Sequence, residues 1–189
     1  MRARTDRLVT ADELMRMPDD GVKHELVEGR LITMTHAGSL HGRLAMRLGA
    51  AVDRFVEAHA LGAVFAAETG FRLARDPDTV RAPDVSFVRK ERLLEEGLPD
   101  GYWPGPPDLA VEVQSPNNSV RELELKAQDY LRRGVQLVWV VFPKKRAVVV
   151  YRPDAVPASL GEHDALDGYD LLPGFRYPLA RLFTVKPRS

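Results

Sequence analysis

Three residues of this chain have the types and spacing for hydrolysing a phosphodiester. Asp84 stands in Ala82-Pro83-Asp84-Val85, at the start of an apolar run. Glu112 stands inside a second run, Leu109-Ala110-Val111-Glu112-Val113-Gln114-Ser115. An unpaired carboxylate is costly to bury. Two of them in strand-like segments point to a shared counter-ion, most simply a divalent metal. Lys126 follows on a predicted helix. Two carboxylates, a metal and a lysine are the components that polarise a phosphoryl oxygen and acidify a water for in-line attack.

Side chains alternate along a strand, so Ala110, Glu112 and Gln114 share one face while Leu109, Val111 and Val113 share the other. Asp84 begins its strand, with Val85 and Phe87 pointing away from it. If the two strands are neighbours, Asp84 and Glu112 enter one pocket. Hard oxygen ligands completed by waters suit Mg²⁺, for which Mn²⁺ is a ready substitute. Each residue alone has a plainer reading. Pro83-Asp84 is common turn chemistry, and Glu112 can pair with an arginine across the sheet. Lys126 sits at the edge of the apolar face formed by Leu123, Ala127, Tyr130 and Leu131, where lysines often snorkel or pair with an acid such as Glu122. His41 lies near a helix N-terminus, which favours an anion; a satisfied core histidine is the plainer alternative. Glu25 precedes Leu26 and Val27 and reads otherwise as an edge-strand charge. Arg132-Arg133 and Lys144-Lys145-Arg146 read as solvated surface.

The elements that must position these residues follow from pattern. Thr10-Ala11-Asp12-Glu13 is a capping box opening a short helix to about Met17. His24–Val27 and Leu31–Met34 are strands of a hairpin around Glu28-Gly29-Arg30. Ser39 is the expected cap of a long helix from Leu40 to Ala60, with Leu44, Leu48, Ala51, Val52, Phe55 and Val56 at helical spacing. Strands are predicted over Val64–Leu73, Ala82–Val88 and Leu109–Gln114. Ser119-Val120-Arg121-Glu122 opens a second long helix to Arg133, stopped by Gly134. Val135–Phe142 is near-continuously apolar, as a strand buried on both faces is. Ala147–Tyr151 returns beside it and offers an apolar edge on which a second copy could pair. Weak strand signals lie near Tyr169–Leu172. The order helix, three strands, helix, strand predicts an α+β fold with a mixed sheet flanked by helices, in a single domain over 1–189.

The chain has 189 residues, with 44% hydrophobic and 29% charged, ordinary for a globular protein. No apolar run is long enough to cross a bilayer. The stretch Met1–Arg7 is charged with no apolar segment after it, unlike a secretory signal. Cysteine is absent, which excludes disulfides and thiolate metal sites and fits a cytoplasmic protein. The 27 basic and 27 acidic residues balance. General DNA coating is driven by a basic excess, so nucleic-acid contact here must come from a local patch or from a homodimer. No phosphate-binding glycine loop, nucleophile elbow or His-Glu-x-x-His is present, and the five histidines are scattered.

Taken in order, His24-Glu25-Leu26-Val27-Glu28-Gly29, Ser39-Leu40-His41, Thr69–Leu73, Ala82–Val85, Glu112–Pro116, Lys126–Tyr130 and Gly134–Val141 form an ordered set of motifs. The set resembles the Uma-two family of bacterial predicted endonucleases, within the PD-(D/E)xK superfamily of restriction-endonuclease-like folds. The resemblance spans about Leu14 to Phe183. It implies an αβββαβ core with an extra N-terminal hairpin. It makes Asp84 the PD aspartate and Glu112 the second acid, with the Val113 carbonyl completing the metal site. The superfamily's strand lysine would fall at Gln114 and is missing. The resemblance moves that role to Lys126 on the following helix, while Gln114 can hold the water by hydrogen bonding. Glu25 is the candidate for a further acid, with His41 beside it. The expected activity is Mg²⁺-dependent cleavage of DNA. The alternative is a nuclease-fold module that grips nucleic acid or a partner protein without cutting.

Overall fold

A computed structural model describes residues 7–18 and 21–184; the N-terminal stretch read above lies, up to Asp6, outside them. The short helix α1 (Ala11–Met15) starts at the expected capping box. Thr10 accepts from the Glu13 amide, and the Glu13 carboxylate accepts from the Thr10 amide. Strands β1 (His24–Val27) and β2 (Arg30–Thr33) form the hairpin. Its two turn residues, Glu28 and Gly29, both have positive φ, as a two-residue turn matched to strand twist demands. Helix α2 (Ser39–Ala58) buries Leu44, Leu48, Val52 and Val56, a four-residue repeat down one face. Its N-cap is Gly38, without a side-chain cap, and Ser39 is already inside the helix.

The predicted strand Val64–Leu73 is two strands in two sheets, β3 (Gly62–Ala66) and β4 (Phe71–Ala74). Between them the chain turns at Ala66–Thr69, and Gly70 passes so close to the Tyr102 ring that a Cβ there would lie 2.4 Å from it. Then follow β5 (Thr79–Arg81), β6 (Val85–Arg89), α3 (Lys90–Glu96), β7 (Trp103–Pro104), β8 (Leu109–Val113), α4 (Val120–Arg132), β9 (Leu137–Phe142) and β10 (Ala147–Tyr151). The chain closes with β11 (Ala158–Leu160), β12 (Ala165–Asp167), β13 (Arg176–Pro178) and α5 (Leu179–Phe183). Tyr169–Leu172 is not a strand. It lies in the connection between the paired β12 and β13, where Leu172 is buried.

The main sheet runs β11-β10-β9-β8-β6-β3. Only β8 and β9 are parallel, and α4 makes the crossover between them. Within this sheet the order α2, β3, β6, β8, α4, β9 reproduces the expected αβββαβ core in a mixed α+β fold. The expected open edge at Ala147–Tyr151 is instead covered, because β11 pairs with it from Val148 to Val150. A second sheet, β2-β1-β5-β4-β7, carries the hairpin.

Strand alternation sorts the two faces of the main sheet. Val85, Phe87, Val111, Val113 and Trp139 pack with the apolar stripe of α2. Ala110, Val138 and Val140 pack with Leu123, Ala127 and Tyr130 of α4, joined by Phe71 and Trp103 of the second sheet. Glu112 therefore emerges on the α4 side of the sheet. Among the described residues no helix is long and apolar enough to cross a membrane.

The entry to β3 depends on Gly62. Its φ is +150°, and a Cβ there would lie 2.1 Å from the Val88 carbonyl oxygen of β6. Gly62→Ala should destabilise the fold by about 2–4 kcal/mol, since the sheet backbone itself must move. Urea denaturation checks this, and a loss below about 0.5 kcal/mol would show that the edge strand yields freely.

Candidate active site

Asp84 precedes β6 and Glu112 is the fourth residue of β8; β6 and β8 are antiparallel neighbours, with Val85 opposite Val111. The Asp84 carboxylate crosses to the next strand, where its Oδ2 accepts from the Val113 amide at 2.7 Å. Its Oδ1 lies 3.0 Å from His41 Nε2, near the start of α2. Glu112 Oε1 accepts from the Tyr130 hydroxyl at 2.7 Å and lies 2.8 Å from Lys126 Nζ. Among the described residues Glu112 Oε2 has no protein hydrogen bond. Asp84, Glu112, Val113 and His41 all line one cleft of about 1080 Å³. Among the described residues no arginine pairs with Asp84 or Glu112.

Lys126 does not snorkel, and its side chain is only 11% exposed. Glu122 is occupied elsewhere, closing the capping box with Ser119. The Lys126 ammonium is shared between Glu112 and Glu25, the latter at 3.1 Å. Its charge lies 5.9 Å from the centre of the Tyr130 ring, one turn along the helix. Glu25 is not an edge charge, for the residue is 1% exposed. Its Oε1 also accepts from the Ala82 amide at 3.2 Å, and its Oε2 accepts from Arg81 at 3.0 Å. Arg81 extends on to Asp129 of α4 at 3.4 Å. Glu25 does not line the cleft that Asp84 and Glu112 share; it stands behind Lys126. Gln114 is turned elsewhere. Its amide donates to the Asn118 carbonyl at 2.9 Å, and it lines a smaller cavity of about 150 Å³ with Lys144 and His41.

Arg81, Asp129 and the Tyr130 hydroxyl are members of this cluster that sequence reasoning missed. The available signals were the Lys126-x-x-x-Tyr130 spacing, which stacks two polar tips on one helix face, and an arginine three residues before Asp84.

Burial sets the electrostatics. Desolvation pushes the Glu112 carboxyl up; Lys126 opposes this, while the charges of Asp84 and Glu25 add to the rise, and the net shift is upward. Desolvation acts on Glu25 in the same sense, but Lys126 and Arg81 outweigh it and hold that carboxyl at about 2. Burial disfavours the Lys126 ammonium, yet Glu112 and Glu25 overcome this and raise its pKa. The hydrogen bond to Asp84 raises His41, against its own desolvation.

Among the described residues no cluster of three or more His, Cys, Asp or Glu side chains could hold a metal. The donors that are present nevertheless fit Mg²⁺, which takes one or two carboxylates and keeps several waters. Asp84 and Glu112 share the cleft, and the Val113 carbonyl lies beside His41. Asp84 repels the ionised form of Glu112, a repulsion that a cation between them would relieve.

This architecture is a restriction-endonuclease-like fold. The chain belongs to the family described as "Uma2: Putative restriction endonuclease", whose model matches residues 11–181. It is similar in fold to a solved structure titled as a putative nuclease belonging to DUF820 from Anabaena variabilis ATCC 29413. The two are 19% identical, the match covers 93% of this chain and 97% of that chain, and the TM-score is 0.78. No curated protein matches the chain.

The Glu25 carboxyl has a folded pKa of about 2 against an ordinary 4.5. The stability it contributes is therefore fully present above pH 4.5 and is lost as pH falls towards 2. Glu25→Gln should flatten that part of the acid limb in urea titrations across pH. At neutral pH, Glu25→Ala should cost about 3–5 kcal/mol, because Arg81 and Lys126 are left as buried unpaired charges. A cost below about 1 kcal/mol would show that the cluster is not coupled to folding.

Proposed function

We propose that this protein is a Mg²⁺-dependent endonuclease that hydrolyses phosphodiester bonds of DNA. The observation that carries the reading is the convergence of Asp84, Glu112 and Val113 on one cleft, with the Lys126 ammonium 2.8 Å from Glu112. Family membership and the shared fold support it.

In this reading Asp84, Glu112 and the Val113 carbonyl would hold the cation. When bound, the cation supplies a Lewis acid at the phosphoryl oxygen and lowers the pKa of a coordinated water. The protein's own groups do the rest. Glu112 Oε1 is pinned by Tyr130 and Lys126, which presents Oε2 in a fixed direction. Lys126, 2.8 Å from Glu112, would add a fixed positive charge behind that acid, towards which negative charge builds in the transition state. His41, hydrogen-bonded to Asp84 on the wall of the same cleft, orients that carboxylate. Water attacks phosphorus and releases a proton to bulk water, the opposite P–O bond breaks, and the departing oxygen takes a proton from bulk water. Gln114 acts outside this set, holding the loop that follows β8 through Asn118.

Purified protein with supercoiled plasmid and Mg²⁺ provides the test. Asp84→Ala and Glu112→Ala should each lower cleavage by at least about 10³-fold, and Lys126→Met by at least about 10²-fold, with folded circular dichroism spectra retained. Calorimetry should show Mn²⁺ uptake by the wild type and its loss in Asp84→Ala. Wild-type cleavage rates in both acid variants would refute the site. Absence of both cleavage and Mn²⁺ uptake in the wild type would favour the non-cutting binding module.

A further inference from the structure

Lys126, Glu25, Arg81 and Asp129 close a ring. Lys126 and Asp129 lie one turn apart on α4. Arg81 ends β5 and Glu25 lies in β1, both strands of the second sheet. Around the ring, Lys126 meets Glu25 at 3.1 Å, Glu25 meets Arg81 at 3.0 Å, and Arg81 returns to Asp129 at 3.4 Å. The side chains of all four are 14% exposed or less.

A lysine ammonium is a point charge on a flexible four-carbon stem with three rotatable donors. Glu112 alone would leave that charge free to swing about one contact. Glu25 supplies a second anchor on the far side. Glu25 in turn has no freedom, because Arg81 and the Ala82 amide take its two oxygens. Ala82 lies two residues before Asp84, so the same carboxylate also ties down the chain that delivers the first acid.

We propose that the Asp129–Arg81–Glu25 chain is the positioning device of the site: it fixes the Lys126 ammonium against Glu112, so that Arg81 and Glu25 govern turnover without touching substrate or metal. This assigns a role to the N-terminal hairpin, which otherwise only flanks the core. The proposal rests on the nuclease reading for its effect on turnover, but its geometric content can be measured without any cleavage.

The test compares the wild type with Glu25→Gln and with the double variant E25Q/R81M. The double variant removes both charges at similar volume, so no buried charge is left unpaired within the Glu25–Arg81 pair. Side-chain ¹⁵N NMR of lysine ammonium groups reports the tether, with the Lys126 signal assigned by its loss in Lys126→Met. In the double variant, Lys126 ammonium hydrogens should exchange at least about tenfold faster, and kcat for plasmid cleavage should fall at least about tenfold. KM and the calorimetric Mn²⁺ affinity should stay within about twofold, a split that general loosening of the fold would not give. Wild-type exchange in a folded variant overturns the proposal, and so does faster exchange with unchanged kcat. Loss of Mn²⁺ binding along with kcat also overturns it, in favour of collapse of the whole site. If the wild type cleaves no DNA, the nuclease reading is what fails, and ammonium exchange alone decides whether the tether exists.

Discussion

One lysine bridges two carboxylates that the fold has taken out of water. Glu112 and Glu25 reach Lys126 from different sheets, and the ammonium lies between them at 2.8 and 3.1 Å. Burying either acid alone would cost several kcal/mol. Burying both around one cation is tolerable only if their positions are over-determined, and the surrounding hydrogen bonds do this. Tyr130 holds Glu112; Arg81 and the Ala82 amide hold Glu25. The remaining acid, Asp84, is held by His41 and the Val113 amide. With Glu25 matched by Arg81, Asp84 and Glu112 face the cleft with Lys126 as their one close ammonium among the described residues, an excess of negative charge there. That excess is what a divalent cation would complement.

The layers of the fold exist around this arrangement. α2 covers one face of the main sheet and brings His41 to the end of β6. α4 covers the other face and brings Lys126 and Tyr130 over Glu112. The parallel crossover from β8 through α4 to β9 makes this inevitable, since the helix after β8 must pack back on the sheet it has just left. The second sheet delivers Glu25 and Arg81 behind the lysine. A strand lysine at the Gln114 position would approach the acid from its own strand. Here the charge arrives from the helix instead, and reaches Glu112 from behind the cleft.

Much of this was legible because it is periodic or local. Alternation along β8 put Glu112 opposite Val111 and Val113, and the faces are as that alternation requires. The two capping boxes fixed the starts of α1 and α4. What escaped was non-local. A helical wheel leaves Lys126 at the edge of an apolar face, and only a hairpin one hundred residues upstream turns that edge into an interior. Arg81 ends a three-residue strand too short to have a pattern. The break between Ala66 and Phe71 was hidden because both flanks are apolar and extended, and the chain simply changes sheets there. The edge at β10 read as open because β11, its cover, is a three-residue strand of ordinary loop composition. Gln114 followed Glu112 by the strand period, but the strand ends at Val113 and the period ends with it.

The central claim is that Asp84 and Glu112 act as one binding pair for a divalent cation. Anomalous scattering from a crystal soaked in millimolar Mn²⁺ addresses it most directly. The account predicts a single strong peak within coordination distance of an oxygen from each of the two carboxylates, absent from crystals of Asp84→Ala. A soaked crystal with no peak between these acids, or with the ion bound elsewhere, would contradict it.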